Sequence, residues 1–301
     1  MKDTGQPGIV VARFNKNLTI ENQHGTLMAA VARKKLPPLV CGDRIRWQAT
    51  DNDRAVIVAL ENRTTLLARP DRRGVHKPMA ANITQMIIVS AIDKKEPLHF
   101  NTSMIDRYLV AAEILGIKPV ILINKTDLVD TPTLNQIYNQ FRLYHDIGYP
   151  ILYTNKQQRT GHEQLTQQLH QHTSIFVGES GVGKSSLIND LLPDHELRIG
   201  ALSAVNGKGM HTTTTTTLYH LPLGGELIDS PGVREFGLTL KDSEDIARGF
   251  REFQDLLGHC KFRNCRHMGE QGCAICAASD KGDIHKRRLA SFQAMATELN
   301  N

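Results

Sequence analysis

The chain has no apolar run approaching the roughly 18 residues of a membrane span, which excludes helices that cross a bilayer. Its opening stretch, MKDTGQPGIV, lacks the apolar h-region of a signal peptide, so a cytoplasmic protein is expected. No internal repeat is present, and no long low-complexity tract beyond the six threonines of Thr212–Thr217. Cysteine is scarce. Of five, four crowd into Cys260–Cys276 and Cys41 stands alone, where a small buried residue is the simplest expectation. That distribution does not make a disulfide framework, and in a reducing compartment such a crowd points to a metal.

What is present is enough for two or three domains. The 301 residues are 40% hydrophobic, so each part has material for a core. The net charge of +5 is uneven: residues 1–77 carry 14 Lys/Arg against 7 Asp/Glu, whereas residues 78–237 carry 12 against 15. A basic head on an acidic middle suits an acidic polymer as partner, although ordinary solubility charge looks the same.

Residues 1–68 hold five short β-rich runs (GIVVARF, LTIEN, TLMAAVA, DRIRWQA and RAVIVAL) divided by turn signals such as ENQHG and CGD. This spacing predicts a small β-barrel, an OB-fold. Its loop ARKKLPP offers Arg33, Lys34 and Lys35 to RNA phosphate, or is a plain solvated loop. Residues 69–237 alternate strand and helix patterns, as in a parallel α/β domain. QMIIVSAI and KPVILI are continuous apolar runs, the mark of strands buried on both faces. Between them Ile105, Leu109 and Ala112 form one helical stripe that ends at Gly116. Residues 238–301 are expected to be mostly helical around a Cys/His knot, with Ile284, Arg288, Leu289 and Phe292 at helical spacing.

GESGVGKSS follows the apolar strand TSIFV and opens the helix SLINDLL, the context a phosphate-binding loop demands. Gly178, Glu179, Ser180, Gly181, Val182 and Gly183 supply backbone N–H groups that wrap phosphate oxygens. Lys184 brings a positive charge to the β/γ-phosphates, Ser185 a Mg²⁺ ligand, and Ser186 continues the helix N-terminus. About forty residues on, DSPG places Asp229 at a strand end, where a carboxylate holds the Mg²⁺ shell. Gly232 can approach the γ-phosphate with no side chain in the way.

NKTD, Asn124–Asp127, ends the strand KPVILI, the usual binding edge of such a sheet. Asp127 can accept both the N1–H and the 2-amino group of guanine, a donor pair that adenine lacks. Asn124 orders the loop, Lys125 covers the base face, and Thr126 completes the tetrad. The tetrad precedes the phosphate loop, whereas in an uncut GTPase it follows. One of Thr212, Thr213 and Thr214 can give Mg²⁺ a second hydroxyl, or all three belong to a polar β segment. Just after DSPG, where many GTPases carry a water-positioning Gln, stands Val233. His211 is the nearest substitute, so intrinsic hydrolysis should be slow and partner-stimulated.

Cys260-x₄-Cys265-x-His267-x₅-Cys273 offers three thiolates and an imidazole, a closed tetrahedral Zn²⁺ set. Cys276 is a surplus thiol able to replace a ligand, and His259 lies close. Lys261, Arg263 and Arg266 are interleaved with the ligands, which suits a rigid knob on RNA phosphate.

Together GESGVGKSSLIN, GMHTTT, DSPGVREFGL, KPMAANITQMIIVSA, IDRYLVA and the Cys260–Cys273 spacing resemble the circularly permuted GTPases of the RsgA type along nearly the whole chain. The resemblance implies an OB-fold over 1–68, a permuted GTPase over 69–237 and a zinc domain over 238–301. It further implies binding to the maturing 30S subunit through its 16S rRNA, GTP hydrolysis stimulated by that subunit, and release afterwards. The family's base-side loop is Ser-rich, whereas this chain reads YTNKQQRTG, so Thr154 and Asn155 would stand in. One chain supplies every motif, so a monomer is expected. Two other readings fit parts of the sequence: an RNA-binding protein that senses GTP with negligible turnover, and an ATP-using P-loop enzyme, against which Asp127 argues.

Overall fold

In the computed structural model the five β-rich runs are β1 (Gln6–Phe14), β2 (Asn17–Asn22), β3 (Leu27–Ala32), β4 (Arg44–Ala49) and β5 (Ala55–Leu60). β6 (Leu66–Pro70), β7 (His76–Ala81) and β8 (Gln85–Ala91) follow. Then come α1 (Thr102–Leu115), β9 (Lys118–Asn124), α2 (Thr131–Asp146), β10 (Ile151–Tyr153), α3 (His162–Leu169), β11 (Thr173–Val177) and α4 (Lys184–Leu191). The last are β12 (Thr217–His220), β13 (Glu226–Asp229), α5 (Ser243–Arg248), α6 (Ala274–Lys281) and α7 (Lys286–Glu298). The structure describes residues 5–14, 17–50, 54–70, 76–156, 159–192, 202, 216–229 and 242–299. They form two units, 1–85 with 165–237 and 86–164 with 238–301, each joining chain segments far apart in sequence.

In the first unit β1 pairs β2, β2 pairs β3, β3 pairs β5 in parallel, β5 pairs β4, and β4 returns to β1. The circuit closes a five-stranded barrel of the OB type, as the β-rich runs predict. Alternating residues fill it: Val10, Leu18, Ile20, Ile45, Trp47 and Ile57 are buried together. Trp47 Nε1 donates to the carbonyl of Pro7 at 3.1 Å, so its one polar atom is satisfied inside. Register shifts between Val10 and Ala12, a bulge that bends β1. Past the bend Ala12 pairs Thr217 of β12, and β12 lies antiparallel to β13. Barrel and nucleotide-fold strands thus share one run of backbone hydrogen bonds within this unit. Glu21 of β2 and His220 of β12 reinforce the seam at 2.7 Å.

In the second unit β9 lies between β8 and β10, with Ile121 opposite Ile151 in a parallel pair. Every residue of β9 after Lys118 is buried, which is why its pattern is continuous rather than alternating. Asn101 caps α1 by accepting from Met104 N at 3.1 Å, and Gly116 ends the helix in the left-handed conformation. Val110 of α1 packs with Ile246, Phe250, Phe253, Ile275, Phe292 and Met295 of the C-terminal segment. A Cβ on Gly249 would come 2.6 Å from Val110 Cγ1, so only glycine permits this approach.

A buried ionic network ties the same elements. Arg288 of α7 is fully buried. Its Nη1 donates to Asp106 Oδ1 of α1 at 2.6 Å, and its Nε donates to Glu252 Oε1 at 2.6 Å. Tyr144 of α2 donates to Asp106 Oδ1 at 2.7 Å. Burial pushes the Tyr144 hydroxyl well above its usual range, so it remains a donor.

Candidate nucleotide site and metal centre

The phosphate loop belongs to the first unit. All five residues of β11 are buried, and the strand pairs β13 in parallel with Ile175 opposite Ile228. One step further, Asp229 ends β13 alongside the end of β11, two residues before the loop begins. Gly178, Gly181 and Gly183 turn the loop at φ 137°, 84° and 98°, in the left-handed region that favours glycine. Val182 is buried beneath it. Lys184 opens α4, and its Nζ donates to the carbonyls of Gly178 at 2.7 Å and Glu179 at 2.5 Å. The ammonium therefore braces the loop from inside. Ser185 is exposed and Ser186 half-buried, in the first turn of α4, where helical N–H groups have no intrahelical partner. His211, Thr212, Thr213, Thr214, Gly232 and Val233 lie outside the described residues.

The base-side tetrad belongs to the second unit and ends β9. Asn124 is buried, and its carbonyl accepts from Ile92 N at 3.1 Å. Lys125 sits at φ 63°, and this left-handed turn starts a short 3₁₀ segment over Thr126–Leu128. Thr154, after β10, organises the turn. Its hydroxyl donates to Asn124 Oδ1 at 3.0 Å, and its carbonyl accepts from Thr126 N at 3.2 Å. Thr154 is fully buried, so its side chain positions the tetrad. Asn155 is also buried, with its N–H on the carbonyl of Thr160 at 3.2 Å. The half-buried Asp127 carboxylate has no partner among the described residues and is available to accept two parallel donors.

The metal set also lies in the second unit. Ligand atoms of Cys260, Cys265, His267 and Cys273 fall within 4.8 Å of one another. His267 Nδ1 is 3.5 Å from Cys260 Sγ and 3.4 Å from Cys273 Sγ, and those two sulfurs are 3.9 Å apart. Zinc bond lengths and a tetrahedral angle give S···N edges of about 3.5 Å and S···S edges of about 3.8 Å. The residues therefore fit a zinc ion. Ala274 N donates to Cys260 Sγ at 3.3 Å and Cys276 N to Cys273 Sγ at 3.4 Å, placing N–H dipoles on two thiolates. Gln293 of α7 anchors the carbonyl of His267 at 3.2 Å. Burial pushes the Cys265 thiol up to about 12 and the Cys273 thiol up to about 11, so a metal must displace protons there. Burial lowers His267, which favours the neutral, ligating imidazole. Cys276 stands outside the four-donor group, its Sγ 3.7 Å from the carbonyl of His267.

The cationic residues expected on RNA are all exposed: Arg33, Lys34 and Lys35 after β3, and Lys261, Arg263 and Arg266 around the metal set. Sequence reasoning missed the second role of Thr154 and the Asp106–Arg288–Glu252 network. The only signal for the network was a charged residue on an apolar helical stripe.

Comparison with known proteins places these motifs in a family. The RsgA GTPase family model matches residues 60–239. Over 298 residues, 98% of this chain and 86% of the relative, the chain is 48% identical to the "Small ribosomal subunit biogenesis GTPase RsgA" of Azotobacter vinelandii. The crystal structure of YjeQ from Thermotoga maritima superposes with a TM-score of 0.79 at 29% identity, covering 98% of this chain and 99% of that one. YloQ, described as a circularly permuted GTPase, superposes with a TM-score of 0.77 at 25% identity, covering 99% and 96%. The tetrad that precedes its phosphate loop is thus explained by descent: the chain belongs to the RsgA family of circularly permuted GTPases.

Proposed function

We propose that this GTP hydrolase is a late assembly factor of the small ribosomal subunit, which binds the 30S particle through 16S rRNA, turns over GTP there and leaves as the GDP form. Two strand-end motifs carry the reading, Asn124–Asp127 after β9 and Gly178–Ser185 after β11. The backbone N–H groups of Gly178–Ser186 and the Lys184 ammonium hold the phosphates, and Asp229 with Ser185 holds Mg²⁺. Asp127 selects guanine, with Asn124 fixed for it by Thr154. Gly232 and one of Thr212–Thr214 sense the γ-phosphate, and His211 positions water. Because the Val233 side chain cannot hydrogen-bond, the free enzyme is slow and the subunit completes the catalytic arrangement.

Residues 1–68 and 238–301, which precede and follow the GTPase domain 69–237 in the chain, act as RNA-contacting domains. Arg33, Lys34 and Lys35 serve the first, Lys261, Arg263 and Arg266 the second, and zinc holds the second rigid. The protein works as a cytoplasmic monomer. GTP turnover measured with purified 30S, 50S and 70S particles tests the proposal. Acceleration confined to particles with an accessible small subunit is expected, and equal rates with and without particles would sink it.

A further inference from the structure

The loop that carries the metal ligands also presents an aromatic ring to solvent. Phe262 is 49% exposed, although it lies two residues from a buried centre. Its backbone is fixed: the Phe262 carbonyl accepts from Cys265 N at 3.2 Å, and the neighbouring Lys261 N donates to the carbonyl of Gly272 at 2.9 Å. Gly272 lies under the Lys261 stem, where a Cβ would come 2.8 Å from Lys261 Cβ. The ring is therefore held outward by the turn that builds the metal set. Beside it opens a cleft of about 520 Å³ that reaches Cys260, Cys265 and His267 of the metal set and is flanked by Phe262, Asn264 and Arg266. That volume is within the range of about 300–1,000 Å³ seen for small-ligand sites.

The acids around the cleft each have a fixed local partner. Glu270 is turned inward, its carboxylate accepting from Arg266 N at 3.0 Å and Met268 N at 2.8 Å. Asp242 is spent capping α5, where it accepts from Asp245 N at 2.8 Å. Glu244 is paired with Arg248. Every acid at this face is occupied, whereas the side chains of Arg263, Arg266 and Asn264 have no partner among the described residues. Lys261 lies over the Phe262 ring, 5.5 Å from its centroid. An exposed rigid ring, an unpartnered amide and two guanidinium groups without a side-chain partner among the described residues together suit one kind of ligand, an unpaired nucleotide.

We propose that this face is a single-stranded RNA site. The Phe262 ring stacks on one unpaired base, the Asn264 amide reads that base's edge, and Lys261, Arg263 and Arg266 take the flanking phosphates. The proposal rests on the ribosomal reading above but adds base stacking to phosphate contact.

The test uses the zinc-loaded full chain carrying Arg33→Ala, Lys34→Ala and Lys35→Ala, which silences the barrel loop. Its probe is a short single-stranded RNA containing 4-thiouridine. In this background three phosphate contacts give a log affinity against log salt slope of about −2. Phe262→Ala should weaken binding on the order of 5- to 150-fold with the slope unchanged, and Phe262→Tyr should restore it. Arg263→Gln should instead make the slope shallower by about 0.7. Crosslinks should map to residues 261–266, and zinc content should be the same in all variants.

Affinity of Phe262→Ala within about twofold of its parent, or equal binding of a duplex of the same length, would overturn the proposal. Turnover of the wild-type chain with 30S subunits is measured in parallel. If it is not accelerated, the ribosomal reading fails whatever the oligonucleotide shows.

Discussion

Arg288→Met is the most informative single change to the second unit. Arg288 and Asp106 are both fully buried, and the guanidinium donates to Asp106 at 2.6 Å and to Glu252 at 2.6 and 3.2 Å. Methionine keeps much of the apolar stem but leaves two carboxylates without their cation. Asp106 would keep only the Tyr144 hydroxyl at 2.7 Å and a long contact of 3.6 Å to Arg287. Removing one partner of a buried pair costs about 3–5 kcal/mol. At a urea dependence of roughly 2 kcal/mol per molar, the midpoint should fall by about 2 M, read by far-UV circular dichroism. Arg288→Lys should recover less than half of the loss, because one ammonium cannot fork two carboxylates. Adding Asp106→Asn to Arg288→Met should show a coupling of about 1–3 kcal/mol. A loss under about 1 kcal/mol, or strict additivity, would show that the network is solvated and that this account of it is wrong.

Other consequences follow from the two sites. Asp127→Asn should lower GTP affinity at least about tenfold and relax the choice of guanine over xanthine, whose 2-oxo group accepts a hydrogen bond from the Asn amide; competition binding reads this directly. Zinc affinity should rise with pH, because the Cys265 and Cys273 thiols are held at about 12 and about 11 and release protons to the metal. A chelator competition at about pH 6 and about pH 8 that gave equal affinities would contradict that sign. Cys276→Ser should retain one zinc per chain by metal analysis, whereas Cys273→Ser should lose it.

The parts legible in the sequence are those where periodicity or a fixed motif maps onto one local structure. β8 and β9 announced themselves as continuous apolar runs, and the barrel as five short β runs. The parallel β3–β5 pairing that closes the barrel was not legible, because strand order is a long-range property. The β6–β7 hairpin escaped notice because Pro70 and Pro78 interrupt its pattern. α3 escaped because HEQLTQQL is polar, with only Leu165 and Leu169 buried. Arg288 was visible only as a member of a helical stripe, and its burial depends on Asp106, which lies 182 residues earlier. Thr154 was expected beside the base. Its hydroxyl also holds Asn124, a role set by the adjacency of β9 and β10 that no local pattern encodes.

The most direct test of the central claim is the nucleotide dependence of binding to purified 30S subunits, measured by co-sedimentation. The chain should pellet with 30S in the presence of a non-hydrolysable GTP analogue and stay in the supernatant with GDP, and Asp127→Asn should abolish the difference at limiting guanine nucleotide. Equal co-sedimentation with the analogue, with GDP and without nucleotide would contradict a GTP-driven cycle of binding and release.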